Sequence, residues 1–398
     1  MSRSGSYILS IITFVIMVIF SSCQQNGTKP NSVKHTKQIS NQDKLSNKEY
    51  DRITPPHSSD DLIYRSNITK KVGEFVDMGI NEIVPHQNSN ILQKGISDVY
   101  QPPVTDNPPV NEKPVRLLNI TFDNDIFNNT DYYYTNGVII ELFNPIAGNT
   151  PISKILPGIK SSDINNYGFS LRQNIYTPTN PDIPEITKGD RPFSAFLTIG
   201  QVRESYNLKK RLSVTSRLNF GVLGPASLGG VVQSSIHNIE PQGWNNQINN
   251  SLVIDFSMKM EKGIISNPNV EINLIAGGNI GTVFNKINGG LYFRTGRFTP
   301  VYKGNILNTK RTLQYWFFIE GATNLVLYDA TLQGGFIGSN NMYTLNNDDI
   351  NRVVLSASVG FALYYHNLGL ELQNFYISPE FKNAYDFRWG RIRLIFKI

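Results

Sequence analysis

Cysteine is almost absent from this sequence, and so are long apolar stretches. The only cysteine among the 398 residues is Cys23, so a disulfide within the chain is excluded. No internal stretch approaches the roughly 18 consecutive apolar residues of a membrane-spanning helix. If the chain enters a membrane, it must therefore do so as a closed β-barrel, because only helices and closed barrels satisfy their backbone hydrogen bonds in lipid.

Clustered positive charge is also missing. The formal net charge is +6, but the 37 Lys and Arg residues are spread along the chain rather than gathered in one stripe. This distribution gives no support to nucleic-acid binding, and no nucleic-acid partner is expected. Aromatic residues, by contrast, are frequent, with 19 Tyr and 22 Phe, as is typical of outer-membrane barrels.

The N-terminal residues have the features of an export signal. Arg3 supplies a positive charge, and residues 8–20 form an apolar segment of signal-peptide length. The following Phe20-Ser21-Ser22-Cys23 resembles a bacterial lipobox, although the usual residue at position 20 is Leu. We therefore expect a lipoprotein signal peptide over 1–22 and lipidation of Cys23. An ordinary secretory signal is the alternative, and both lead to export.

Residues 23–116 are polar, rich in Asn, Ser and Lys, and interrupted by pairs of prolines. Such a composition cannot bury enough apolar surface to fold, so the segment is expected to be a disordered periplasmic tether. A short amphipathic helix over 71–80 is the one element expected in it. Its three histidines, His35, His57 and His86, are expected to be solvated.

From residue 117 onward the apolar residues recur with a period of two, the period of β-strands. Between residues 353 and 365 every odd position is apolar, and between 254 and 261 four apolar side chains alternate with Asp255, Ser257, Lys259 and Glu261. This pattern favours a barrel wall with a lipid-facing exterior and a polar lumen over residues 117–398. A soluble β-sandwich has the same period and is the alternative.

The alternation predicts an all-β fold, a twelve-stranded antiparallel outer-membrane β-barrel. An even strand number is what single-chain bacterial barrels have, and a monomer is expected. The predicted strands are 117–126, 133–143, 166–175, 193–206, 211–223, 248–262, 269–283, 287–297, 313–328, 351–366, 367–376 and 386–398.

The least ordinary polar residues fall in three connections that strand parity assigns to one end of the barrel. With the tether in the periplasm, the connections after strands one, three and five all lie on the extracellular side. The first contains Asn124 and Asp125, and the third contains Gln233 and His237. Residues 226–240 are predicted to form a short extracellular-side helix that begins after Pro225, and Gln233 and His237, four residues apart, share one of its faces.

This arrangement is suited to hydrolysis. A neutral imidazole at His237 can take a proton from water near neutral pH, and a hard cation held by Asp125 can polarise an ester carbonyl. Taken alone, an Asn-Asp pair at a strand end is ordinary turn chemistry, and a single loop histidine is often solvated. His366, in a predicted tight turn, is expected to be of that second kind.

Several blocks of sequence, in this order, resemble the outer-membrane lipid A 3′-O-deacylase (LpxR-like) family. They are Asn124-Asp125, Tyr134-Thr135-Asn136-Gly137, Ile175-Tyr176-Thr177-Pro178, Gly189-Asp190-Arg191-Pro192-Phe193-Ser194-Ala195-Phe196, Gly224-Pro225, Gln233 with His237, and Trp244 with Gln247. The resemblance implies a calcium-dependent site near the outer leaflet, between the barrel wall and a helix. The implied reaction is hydrolysis of the ester that carries the 3′-linked acyloxyacyl chain of lipid A, the lipid moiety of lipopolysaccharide.

The same resemblance assigns roles to individual residues. Asp125 would bind calcium and His237 would activate water, while Asn124, Thr135 and Gln233 would orient groups or stabilise the oxyanion. A basic residue that some family members carry before the Gly-Asp-Arg block has no clear equivalent here. Lys188 and Arg191 are the candidates to contact a substrate phosphate in its place.

Two other functions stay open at this point. One is an esterase or phospholipase on the same barrel that acts on a different outer-membrane lipid. The other is a catalytically inactive barrel that serves as a scaffold or pore. A Ser-His-Asp hydrolase is disfavoured because no Gly-x-Ser-x-Gly motif occurs between a strand and a helix.

Overall fold

The computed structural model describes residues 116–398 except 129–131, 182, 184, 238–241, 305–306, 308–311 and 337–339. The side chains of Ile126, Ile236, His237 and Gln242 are likewise outside the description. The expected signal peptide, Cys23 and the tether, with its helix over 71–80 and its histidines, all lie outside the described residues.

Twelve antiparallel strands form a closed barrel in which each strand pairs with its sequence neighbours and β1 pairs with β12. The strands are β1 Leu117–Asn124, β2 Tyr133–Phe143, β3 Ile164–Thr177, β4 Ser194–Asn207, β5 Leu212–Leu223, β6 Ser251–Ser266, β7 Val270–Gly281, β8 Phe284–Arg297, β9 Leu313–Asp329, β10 Val353–Tyr365, β11 Leu368–Ile377 and β12 Phe387–Lys397. The predicted fold class and strand number are therefore confirmed. The largest difference in a boundary is at the end of β6, predicted at 262 and observed at Ser266.

Three short α-helices accompany the barrel in the described part of the chain. They are α1 Pro151–Ile155, α2 Gly229–His237 and α3 Ala330–Gln333. None of them is long and apolar enough to cross a bilayer. Helix α1 was not predicted; Thr150 caps it by accepting a hydrogen bond from the Ser153 N–H at 3.2 Å, and Pro151 occupies its first position.

The alternation of side chains assigns the two faces of the wall. On β9 and β10 the exposed residues Phe317, Ile319, Leu355 and Val359 point outward, while the adjacent Glu320 and Ser358 lie on the inner face. A closed sheet buries its inner face, so an apolar outer surface is the arrangement of a barrel that spans a membrane. The outward apolar face and the polar interior both agree with the sequence pattern.

The interior consists of two packed layers with a polar cavity near the middle. Towards the end at which β1 ends and β2 begins, Tyr134, Tyr176 and Trp389 pack with neighbouring buried residues in one apolar cluster. Towards the end that carries the N-terminus of β1 and the C-terminus of β12, Trp316 stacks on Tyr364, with ring centroids 5.0 Å apart. A cavity of about 390 Å³ lies within the wall and is lined by charged side chains such as Arg172, Lys259 and Asp255.

The connections at the two ends differ in length, and this difference orients the barrel. At the end that carries both barrel termini, the turns 208–211, 267–269 and 366–367 are short, and the connections 144–163 and 298–312 are longer. At the opposite end, 282–283 is a tight turn, but the connections 224–250 and 330–352 are the two longest of the barrel. Because outer-membrane barrels have shorter periplasmic turns and longer extracellular loops, the end with the two longest connections is assigned as the extracellular end. His366 lies in the tightest periplasmic turn with a φ of 51°, as predicted for a turn residue.

Candidate functional site

The outer end of β1 presents neighbouring polar side chains to opposite faces of the wall. Asp123 points into the lumen, where it accepts hydrogen bonds from Arg391 Nε at 2.7 Å and from the Tyr134 hydroxyl at 2.9 Å. Asn124 is the next residue of the strand, so it lies on the outward face, where it is buried. Asn124 is therefore the last residue of β1, and it lies on the outward face at the extracellular end of the wall.

A β-bulge in the pairing of β2 with β3 changes the direction of the Thr135 side chain. Tyr134 pairs with Tyr176 and Asn136 with Ile175, so Thr135 is an extra residue in β2. Such a bulge interrupts the alternation of side chains, and Asn136 consequently shares the outward face with Asn124, its cross-strand partner. The Thr135 hydroxyl lies 2.7 Å from the hydroxyl of Thr177, and both residues are buried.

Asp125 begins the connection between β1 and β2. It is the first residue of a 3₁₀ turn, Asp125–Asn128, and it is buried. Its Oδ2 accepts a hydrogen bond from the Tyr132 N–H at 3.1 Å, which ties the far end of the connection to its beginning. The carboxylate is thus held at the rim, directly after Asn124.

Helix α2 begins three residues later than the sequence predicted. Pro225 does start a helical segment, but that segment is a separate 3₁₀ turn, Pro225–Ser227. Leu228 then adopts a left-handed conformation with a φ of 63°, which interrupts the helical hydrogen bonding before Gly229. The predicted helix over 226–240 is therefore corrected to Gly229–His237, with residues 238–240 outside the described part.

One face of α2 lies directly on the outer surface of the wall. A Cβ on Gly229 would lie 2.3 Å from the Cβ of Ala195 in β4, so the helix backbone touches the wall there. Val232 packs against the buried cluster of Ile175, Phe193, Ala195 and Trp244. Gln233 follows Gly229 by four residues and is buried, whereas Val231 is exposed.

The position of His237 follows from the same helical spacing. Residues 229, 233 and 237 recur every four positions, so His237 occupies the last position on the face that Gly229 holds against β4. The helix contacts β3 and β4, and β3 carries Thr177 beside Thr135. Gln233, Asn124 and Thr135 therefore all lie on the outward side of the wall at its extracellular end.

The two predicted phosphate ligands differ in their surroundings. Lys188 is exposed in the β3–β4 connection. Arg191 is buried: its Nη1 donates to Thr331 Oγ1 at 3.0 Å, its Nη2 forms an ion pair with Glu380 at 2.5 Å, and its guanidinium lies 4.7 Å from the centroid of the Tyr176 ring. These contacts favour a structural role for Arg191, and its substrate-binding role stays a prediction.

Arg191 remains charged in this setting. Burial alone would lower the pKa of Arg191, but the adjacent Glu380 carboxylate, followed by Asp329, raises it above its ordinary value. The three connections that supply Arg191, Thr331 and Glu380 are thereby joined across the extracellular end of the barrel.

Few side chains that could bind a metal lie close together among the described residues. No three His, Cys, Asp or Glu residues of this part come together as a metal-binding group. Asp125 has the hard oxygen donors that calcium prefers, but calcium takes about six to eight oxygen ligands. Asp125 therefore fits a calcium site in donor type, and the other ligands would have to be amide oxygens, backbone carbonyls or water.

Three features of the site were not recognised in the sequence. The outward placement of Asn136 depends on the bulge at Thr135, and the partnership of Thr177 with Thr135 depends on strand register. Gly229 is required where α2 touches Ala195, and the pair Gly229-Gly230 after a Pro turn was its only signal. Each feature depends on a pairing between distant segments, which local sequence does not specify.

Comparison with known proteins gives a family and a fold. The model of the family described as outer membrane protein LpxR matches residues 100–398. The solved structure of LpxR from Salmonella typhimurium is 22% identical, with a TM-score of 0.58, and the match covers 71% of this chain and 100% of that one. The beta domain of the Bordetella autotransporter BrkA also matches, at 10% identity and a TM-score of 0.39, over 72% of this chain and 100% of that one. No curated protein matches.

The LpxR structure shares the barrel fold with this chain, and the family match extends over all twelve strands. The chain belongs to the outer membrane protein LpxR family and is a protein of the bacterial outer membrane.

Proposed function

We propose that this protein is a carboxylic ester hydrolase that removes the 3′-linked acyloxyacyl chain from lipid A, with calcium as its cofactor. Family membership supports an outer-membrane protein that acts on lipid A. The observation that supports the proposal is the contact of α2 with the outward face of β3 and β4, because β3 also carries Thr177, whose hydroxyl lies against that of Thr135.

The surroundings of α2 suit a lipid substrate. Leu228 is 52% exposed and Val231 is 62% exposed on the helix side, and Leu252 is 49% exposed on neighbouring β6. These side chains continue the apolar outer surface of the barrel up to the rim. An ester in the outer leaflet would approach the site from the side, through the membrane, while its acyl chains stay in contact with apolar side chains. A soluble substrate would gain nothing from this surface.

Each of these residues has its own role in the proposed hydrolysis. His237 accepts a proton as the oxygen of a water molecule bonds to the ester carbonyl carbon. Asn124, Thr135 and Gln233 supply amide and hydroxyl groups that hold the water or donate to the developing oxyanion. The bond between the carbonyl carbon and the 3′-oxygen of the sugar then breaks, and that oxygen takes the proton from His237. The products are a free acyloxyacyl acid and lipid A with a free 3′-hydroxyl group.

Asp125 is the residue that would hold calcium. Bound there, calcium would supply positive charge that stabilises the oxyanion. Chelation with EGTA is therefore expected to lower the deacylation rate about 10²-fold or more, and added calcium is expected to restore it. The measurement is the initial rate on purified, folded protein, with magnesium as the control cation. Restoration by magnesium to the same rate would contradict a calcium site. The Asp125→Asn variant should lose the response to calcium, and a variant that keeps it would remove Asp125 from the site.

The contact between Gly229 and Ala195 can be tested by adding and removing single methyl groups. In Gly229→Ala the new Cβ would meet Ala195 at 2.3 Å and displace α2, so the deacylation rate should fall about 10- to 100-fold, because small misplacements of catalytic groups are costly. Gly230→Ala is the matched control, since its nearest neighbour would be Trp244 Cγ at 3.3 Å.

The double variant Gly229→Ala/Ala195→Gly moves the methyl group across the contact and should recover most of the rate. Equal effects of the two glycine substitutions, or no recovery in the double variant, would show that the packing of α2 on β4 does not set the rate.

The reaction itself is tested by mass spectrometry of lipid A from cells that express the protein. Loss of the mass of the 3′-acyloxyacyl group is the expected result. A panel of purified phospholipids tests the alternative, an esterase that acts on another lipid. Unchanged lipid A in the presence of calcium, from cells with folded protein in the outer membrane, would refute the proposal, and release of fatty acid from a phospholipid would favour the alternative.

A further inference from the structure

A second candidate binding site lies at the opposite end of the barrel, on its outward face. A notch there is lined by Asn269, Thr295, Gly296, Arg297 and Tyr315, and its volume is about 500 Å³. Asn269 belongs to the periplasmic turn between β6 and β7, and Arg297 ends β8. The notch therefore lies at the level of the inner leaflet, far from the extracellular rim.

The notch is held in shape by backbone and side-chain hydrogen bonds of the turn. The Asn267 side chain accepts hydrogen bonds from the N–H groups of Asn269 and Val270, at 3.1 and 2.7 Å. The Gly296 N–H donates to the Asn269 carbonyl at 2.9 Å, which joins the turn to β8. At Gly296, which has a φ of 147°, a side chain would meet the Tyr315 carbonyl at 2.3 Å. This close approach of backbones leaves the recess beside Arg297 and Tyr315.

Arg297 gives the notch a positive charge, and no ion pair to a described residue balances it. Arg297 and Tyr315 are directly opposite each other in the β8–β9 pairing and are both exposed on the outward face. Within the described residues, Arg297 forms no ion pair and no hydrogen bond through its guanidinium. A cationic guanidinium beside a phenolic hydroxyl and a carboxamide is a donor set for a phosphate.

The wall above the notch carries exposed apolar side chains. Leu291 and Phe293 on β8 are 53% and 36% exposed, and Phe317 and Ile319 on β9 are 62% and 54% exposed. All four lie on the same outward face as Arg297 and Tyr315, on adjacent strands. The same surface thus has hydrogen-bond donors for a phosphate at its periplasmic end and apolar side chains that can contact acyl chains directly above them.

We propose that this surface is a binding site for one glycerophospholipid of the inner leaflet, with the lipid phosphate in the notch at Arg297 and the acyl chains along Phe293 and Phe317. The site is on the other side of the membrane from the proposed hydrolytic site and does not depend on the proposed function. The phospholipid is bound at this site and is not hydrolysed there.

Native mass spectrometry of the full-length protein in detergent, titrated with dioleoylphosphatidylglycerol, tests the site. Arg297→Ala is expected to weaken binding of the first lipid about five- to tenfold, as for a charge-assisted hydrogen bond that is partly solvated. Arg297→Lys should recover part of the loss, and Tyr315→Phe should weaken binding about twofold. Dioleoylglycerol, which lacks the phosphate, should bind the wild type and Arg297→Ala equally.

Lys209→Ala is the matched control, because Lys209 is an exposed cation in a different periplasmic turn. It should bind phosphatidylglycerol as the wild type does. Unchanged affinity in Arg297→Ala would overturn the proposal. An equal loss in Lys209→Ala would also overturn it, because the binding would then reflect general attraction to an anionic lipid rather than the notch.

Discussion

Replacement of His237 by Ala is expected to lower the rate of lipid A deacylation about 10²- to 10⁴-fold while the barrel stays folded. The expected size is that of a general base, and His237 occupies the last position on the face of α2 that lies against β4. A base that works as a neutral imidazole is lost on protonation, so the wild-type rate should fall as the pH is lowered. Initial rates measured by mass spectrometry on purified protein between pH 5 and 8 provide both tests.

The control for this prediction is the exposed His366 in the periplasmic turn between β10 and β11. Asn is the suitable replacement, because it tolerates the left-handed conformation that His366 adopts with a φ of 51°. His366→Asn should keep the wild-type rate and pH profile. A His237→Ala variant with wild-type activity would exclude His237 as the base. A loss of activity accompanied by a lower thermal stability would instead indicate a role in folding.

Replacement of Arg191 by Met is expected to destabilise the barrel by about 2–4 kcal/mol. The substitution leaves the Glu380 carboxylate without its partner, and removal of one member of a buried ion pair usually costs about 3–5 kcal/mol. The lower range applies because the Glu380 side chain keeps 24% of its exposure. Urea titrations of the folded protein in detergent give the free energy of unfolding of each variant.

Two further variants separate the ion pair from a general effect of charge. Lys188→Met removes an exposed cation from the same connection and should change the free energy of unfolding by less than about 0.5 kcal/mol. The double variant Arg191→Met/Glu380→Gln should be more stable than Arg191→Met alone, because it no longer buries an unpaired carboxylate. If Arg191→Met were as stable as the wild type, its guanidinium would be available for the substrate role that the sequence suggested.

Most of the barrel could be predicted from the sequence because strand alternation is a local property. The apolar odd positions between 353 and 365 correctly identify the outward face of β10, where Val353, Leu355 and Val359 are exposed. The alternating direction of successive strands was enough to place Asn124 and α2 at the same end of the barrel. The boundaries were less exact where strands extend past the apolar positions, as β6 does to Ser266.

The details of the site could not be predicted, because they depend on contacts between segments that are distant in sequence. Arg191 was predicted to contact a substrate phosphate, and the sequence gives no sign that Glu380 and Thr331 lie beside it. The helix was predicted to start at 226 because the left-handed Leu228 is not a residue type that signals a break. The outward direction of Thr135 required the register of β2 against β3.

The pairing of β1 with β12 has a consequence for the timing of activity. Asn124 is opposite Gly390 in this pairing, and the adjacent Asp123 is bound to Arg391, 268 residues further along the chain. The first strand of the proposed site therefore has no fixed position until the last strand of the protein has joined the sheet. A chain still in transit through the periplasm would be an inactive precursor without any propeptide or inhibitor, and completion of the barrel in the outer membrane would itself be the activating step.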